Sequence, residues 1–269
     1  MSFTSLFLFA SEDGPHIAIA PEKLFEVGGI TITNSMLYGW VSAVIVISLL
    51  MYGVKRISVG KTKGYLAKLM DSGTEFIVGT MESSLGSRKK AVKYAPFFVT
   101  TFFFIVLNNW LGLLPGIGPA VEYNGTPLLR PFTADLNGTL SMSLLMMIIV
   151  ITLAVRESGA LKHLRHYFPG SFKNPMTLPL GVLEILSEFT RLISLALRLF
   201  LNVVIGEILI AIFSFLGSGA APLTALPFTL LELFVGLLQA YIFVVLCISY
   251  LAVATAHNHD EGHANETGK

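Results

Sequence analysis

Charge is scarce in this sequence. Only 13% of its 269 residues are Asp, Glu, Lys or Arg, against about 25% in a typical soluble domain. Hydrophobic residues make up 54% of the chain, and the mean hydropathy is +0.72. That balance excludes a water-soluble domain and implies a polytopic, all-α integral membrane protein. Cysteine is nearly absent: Cys247 stands alone, which excludes an internal disulfide and any cysteine-based metal site. Cys247 reads as a small apolar filler. A basic face interleaved with aromatic residues is missing, so no nucleic-acid partner is expected. The stretch Met1 to Ala10 is apolar but has no basic n-region, which argues against a signal peptide. Repeats at solenoid or inverted-half period are also lacking, which weakens a standard secondary transporter. The formal net charge of +1 says nothing about partners, because the charges are segregated along the chain.

What the sequence has is long apolar runs in a definite order. Residues 1–34 are mixed and turn-rich and form an expected extracytoplasmic segment, with the membrane domain over 35–256 and a polar tail over 257–269. A first span reads from about Ser35 to Val54, entered by Tyr38 and Trp40 at headgroup depth and stopped by Lys55-Arg56. The loop 55–93 is polar, with weak amphipathic helix character around Leu66–Val78. Further spans follow over about Ala95 to Leu114 and Leu140 to Val155, separated by a turn-rich loop containing Asn124-Gly125 and Arg130-Pro131. A second polar loop covers 156–174. The two polar loops hold thirteen of the eighteen lysines and arginines, which places them in the cytoplasm. Five membrane helices then leave the N-terminus outside and the C-terminus inside.

The last two runs, about Leu178–Leu216 and Pro222–Ala256, hold 39 and 35 residues. As helices they would be roughly 58 and 52 Å long, while a hydrocarbon core is only ~30 Å thick. They read as two long, steeply inclined helices joined at Gly217-Ser218-Gly219. The segment Glu184–Glu207 within the first run carries five ionisable side chains. At the bilayer centre each would cost at least ~2.5–3.5 kcal/mol, so they must pair, face water or handle ions. On a helix Glu184, Glu188, Arg191, Arg198 and Asn202 fall within about 80° of one another. They form one polar stripe.

A fold-back near residue 218 sets Arg198 level with Gln239, and Glu207 level with Glu232. Two carboxylates facing each other in low dielectric cannot both ionise cheaply, and such a pair can hold and pass a proton. Arg198 never usefully deprotonates; it suits a fixed positive charge that attracts a partner's carboxylate or blocks a proton path. Glu188 and Arg191 read equally as an internal ion pair or as functional groups. His257, His259 and His263 lie in the polar tail and read as a solvated, disordered end, so no metal and no cofactor is expected. Ser187 and Ser194 read as bonding to their own helix's carbonyls. Asp135 and Asn137 read as caps of the third span.

These residues also carry a resemblance. Ser194-Leu195-Ala196-Leu197-Arg198-Leu199-Phe200-Leu201-Asn202, Gly206-Glu207, and Glu232 with Leu238-Gln239-Ala240-Tyr241-Ile242-Phe243 resemble subunit a of the bacterial F-type ATP synthase. Weaker matches are Asn109-Trp110-Leu111-Gly112-Leu113-Leu114-Pro115 and Ala134-Asp135-Leu136-Asn137-Gly138-Thr139-Leu140-Ser141-Met142. The resemblance implies a long helical hairpin cupping a rotating c-ring, with b-type peripheral stalk subunits as further partners, in the bacterial inner membrane. It implies a non-catalytic ion-channel stator with two half-channels. Arg198 would be the stator arginine, Gln239 its neighbour, Glu207 and Glu232 the lining open to the outside, and Glu184 and Glu188 the cytoplasmic exit. Leu201 and Ile205 depart from the family, which has small residues there. The alternative class is a self-contained ion or solute transporter using the same stripe.

Overall fold

The computed structural model describes residues 21–27, 30–58, 65–114, 118–123, 126–159, 177–217 and 220–266. Among the described residues six α-helices carry the fold: α1 Asn34–Ser58, α2 Tyr65–Leu85, α3 Arg88–Gly112, α4 Leu136–Ser158, α5 Thr177–Gly217 and α6 Ala221–Glu266. Five of them are long and apolar enough to cross a membrane. All the expected spans are present, and the protein is an all-α integral membrane protein. Two small antiparallel hairpins, β1 Lys23–Val27 with β2 Ile30–Thr33 and β3 Gly118–Tyr123 with β4 Thr126–Leu129, decorate one end. The sequence reading left these segments as turns. Each is short and pairs only with its neighbour, so its alternation is too brief to stand out.

The loop expected over 55–93 is largely helical. In α2, Ala67, Met70, Ile77, Val78 and Met81 are buried at helical spacing, while Lys68, Asp71 and Glu75 stay exposed. In α3 the buried face already includes Ala91, Tyr94 and Phe98. The helix therefore begins at Arg88, seven residues before the apolar run, with its lysines on the other side. Arg88 bridges Glu75 at 2.7 Å and Glu82 at 3.0 Å. Glu157 at the end of α4 takes Lys93 at 3.0 Å and a hydrogen bond from the Tyr94 hydroxyl. Residues 257–266 of the tail are helical, since α6 continues to Glu266; the side chains of His257, His259 and His263 lie outside the described residues.

The main core joins α2, α3, α4, α5 and α6 around Ile77, Phe98, Ile105, Leu199, Phe243 and Ile248, with Cys247 as an apolar filler among them. Helices α5 and α6 pack along each other as an antiparallel hairpin. Near its turn the Thr224 hydroxyl donates to the Phe213 carbonyl at 2.8 Å, and Phe213 stacks on Phe228 with centroids 3.8 Å apart. With 41 and 46 residues these helices are roughly 60–70 Å long, so they fit a ~30 Å hydrocarbon core only when steeply inclined.

Asp135 caps α4 as expected, its carboxylate accepting from the Asn137 backbone N–H at 2.9 Å. Asn137 itself lies inside the first turn. The same buried carboxylate accepts from Ser35 Oγ at 2.6 Å, which ties the start of α1 to the start of α4. Asp135→Ala should therefore lower stability by about 2–4 kcal/mol, combining a lost cap with a lost charge-assisted bond. The measurement is the thermal midpoint of the detergent-solubilised protein; an unchanged midpoint would show that the tie contributes nothing.

Candidate functional site

Helix α5 displays its polar stripe in two ways. Leu195, Ala196 and Leu199 face the core, while Arg198 is exposed together with Leu197, Leu201 and Ile205. On α6, Leu230, Leu231, Phe234 and Leu238 are exposed as well. Arg198 thus stands in a broad apolar face that nothing among the described residues covers. Among the described residues no acidic side chain forms a salt bridge with it. Leu201 and Ile205, bulky where small residues were expected, lie on this same outward face. They do not limit how closely α5 approaches α6.

The carboxylate level is realised. The Glu232 side chain packs directly onto Gly206, in the space a Cβ there would fill. It is buried, with 6% exposure. Glu207 is half-buried and within electrostatic reach of Glu232, Arg130 and Tyr38. Two bonds hold α6 at this height. Asn109 Nδ2 donates to the Gly236 carbonyl at 3.2 Å, and Trp110 Nε1 donates to the Leu233 carbonyl at 3.0 Å. Both acceptors lie within the turn that follows Glu232 on its own helix. Gly236 permits the approach, since a Cβ there would lie 3.1 Å from Asn109 Cβ.

Arg198 and Gln239 share a level but not a bond. The Gly206–Glu232 contact lies on one side of them, and on the other the Arg191 guanidinium sits over the Tyr250 ring at 4.9 Å. Gln239 points inward, 6% exposed, while Arg198 points out, and among the described residues no hydrogen bond joins them. Asn202 lies one turn from Arg198, and its Nδ2 is buried without a partner among the described residues.

Toward the start of α5 an open groove of about 410 Å³ runs past Leu186, Ser187, Thr190, Arg191 and Ser194 to Tyr250. Thr190 turns back to the Leu186 carbonyl at 2.8 Å. Among the described residues no bond joins Ser187 or Ser194 to its own helix, and both line the groove. Glu188 is half-buried near it. The Glu184 side chain lies outside the described residues.

The sequence reading missed Arg130 and Tyr38. Arg130 is buried at 7% exposure, with Nη2 donating to the Ala134 carbonyl at 3.1 Å. Its signal was a lone basic residue in a turn-rich loop, which was counted for orientation only. Tyr38 was expected at headgroup depth. It is buried instead, its hydroxyl donating to the Asn108 carbonyl at 3.0 Å, while Trp40 is the exposed aromatic. With Ser42 donating to Asn108 Oδ1 at 2.8 Å, these groups form a buried polar cluster on the Glu207 side of Arg198.

The sequence profile of the ATP synthase A chain family matches residues 36–252. The chain belongs to that family. It is 35% identical over 188 residues to ATP synthase subunit a of Bdellovibrio bacteriovorus, covering 69% of this chain and 73% of that relative. It is 31% identical over 258 residues to ATP synthase subunit a 2 of Chlorobaculum tepidum, covering 90% and 69%. With ATP synthase subunit a of Nitrosospira multiformis it shares 28% over 253 residues, 92% of this chain and 90% of the relative. Arg198, Glu207, Glu232 and Gln239 all lie inside the stretch matched to the ATP synthase A chain family.

The Gly206–Glu232 contact makes a structural prediction for this family member. Gly206→Ala should force the buried carboxylate off α5 and cost about 1–3 kcal/mol, as overpacking does. Glu232→Ala in the same background should recover most of the loss, because the colliding group is gone. Thermal midpoints of the four proteins test this; equal losses with and without Glu232 would place the strain elsewhere.

Proposed function

We propose that this chain is the ion-channel stator of a bacterial rotary ATP synthase, passing protons to and from the carboxylates of a rotating c-ring. One observation carries the reading: a permanent cation, Arg198, stands without a salt bridge among the described residues in an exposed apolar face, with carboxylates on one side and a hydroxyl-lined groove on the other. An arginine facing hydrocarbon costs at least ~2.5–3.5 kcal/mol. An external carboxylate removes that cost, and a ring of them passing in turn makes the contact a cycle. A self-contained transporter would enclose its fixed charge within its own bundle.

Protons are taken up from outside past Glu232 and Glu207, with Arg130, Tyr38 and Asn108 holding that side polar. The pair hands each proton to a ring carboxylate, which rotates through the lipid and releases it into the groove past Glu184 and Glu188. Arg198 compels each carboxylate to arrive deprotonated, since a guanidinium stays protonated at any physiological pH. It also blocks a direct path between the two sides. Gln239 and Asn202 flank it and keep its level polar. The chain catalyses no covalent step; b-type stalk subunits hold it against the torque.

Arg198→Ala should abolish ATP-driven proton pumping while the complex still assembles, and Arg198→Lys should restore little, because an ammonium is a mobile point charge whose pKa falls when buried. Proton uptake by inverted vesicles reads this; near-normal pumping by the alanine variant would end the stator reading. The orientation, with N-terminus outside and C-terminus cytoplasmic, has its own test. A cysteine at Gly86 should react with impermeant reagent only from the cytoplasm, and one at Asn124 only from outside. Reversed labelling would exchange the two half-channels.

A further inference from the structure

A small, partly open cavity lies where α4, α5 and α6 meet, walled by Ser143 and Val150, Arg191 and Leu195, and Cys247 and Tyr250. It leaves about 10 Å³ for the centre of a water-sized sphere, which is room for one water. Ser143 is 1% exposed, and its Oγ has no hydrogen-bond partner among the described residues. Its neighbours behave differently. Thr139, Ser141 and Thr152 on the same helix all bond back to their own backbone carbonyls. Ser143 makes no such bond among the described residues, and in an apolar wall a lone hydroxyl is strongly disfavoured. Arg191 brings the complementary group. Its guanidinium has five donors, and stacking on the Tyr250 face uses its charge and not its N–H groups.

We propose that this cavity is a single-water site, the water linking the Ser143 hydroxyl to the Arg191 guanidinium. An Arg191 N–H donates to the water, the water and Ser143 share one hydrogen bond, and the Cys247 sulfur is a weak third partner. That meets the two to four partners a buried water needs. Leu195 and Val150 close the site with apolar walls.

The link has a consequence that rests on the stator reading. Arg191 and Tyr250 line both this cavity and the open groove, so they form the wall between them. Arg191 lies seven residues before Arg198 on the same helix, about 10 Å away and nearly in line. A long, unanchored guanidinium there would reach into the groove and compete with Arg198 for the ring carboxylate. The Tyr250 face and the water hold it back, which makes Ser143 and Tyr250 positioning residues for Arg191.

The test uses the intact complex. A structure that resolves waters should show one within hydrogen-bond distance of both Ser143 Oγ and Arg191; a dry cavity overturns the proposal. Ser143→Ala should lower the temperature at which the chain is lost from the complex. A raised temperature overturns the proposal too, because removing a hydroxyl that truly has no partner is stabilising. Ser143→Ala should also slow ATP-driven pumping several-fold, with the loss absent in an Arg191→Gln background. Equal losses in both backgrounds would sever the link to Arg191. The first two readouts do not depend on transport, so a stator reading refuted at Arg198 leaves the water site standing, and the reverse.

Discussion

A guanidinium removed from water is tolerable only where an anion or a ring of dipoles meets it, and among the described residues no carboxylate forms a salt bridge with Arg198. The electrostatic interaction it offers grows steeply as the dielectric falls, from about 1 kcal/mol in water to about 4 kcal/mol at an effective dielectric of 20 for charges 4 Å apart. The rest of the architecture serves to hold that charge at a fixed depth with an uncovered side. Leu195 and Leu199 seat α5 in the core, and α5 packs along α6 as the long antiparallel arm of a hairpin, 41 residues in length. The face that carries Arg198 stays exposed.

The carboxylate level depends on a second constraint, the missing side chain at Gly206. Only a glycine lets the Glu232 carboxyl lie against the α5 backbone beside Glu207. The height of Glu232 is set from a third helix, by Asn109 and Trp110 bonding to α6 carbonyls around it. Arg130 and Tyr38 then complete the surroundings of Glu207 from a loop and from α1. Five separate parts of the chain thus meet at one pair of acids. The groove at the other end is simpler, lined by hydroxyls of one helix face together with Arg191 and Tyr250.

Much of this was legible in the sequence. Span number, the over-long final helices and their fold-back point follow from apolar run lengths, which register membrane thickness directly. The level of Glu207 with Glu232 follows from counting out from the turn. The structure corrected the soluble-looking parts. The start of α3 is hidden in the sequence because its lysines alternate with Ala91, Tyr94 and Phe98, a pattern that averages to polar in any hydropathy window. Tyr38 read as an interfacial aromatic because its ring and hydroxyl fit that role equally well; only the Asn108 carbonyl beside it decides otherwise.

By itself, the sequence determined that this is an all-α membrane protein with a charged stripe it cannot bury cheaply, because composition and run length act on each residue independently of its neighbours in space. Tertiary structure alone decided that Arg198 faces outward while Gln239, at the same level, faces in. It alone brought Arg130 to Glu207 from a distant loop, and it alone placed Ser143 and Arg191, from two different helices, on the wall of one cavity. The physical reason is that rotation about a helix axis and the packing of non-local segments depend on contacts between distant parts of the chain.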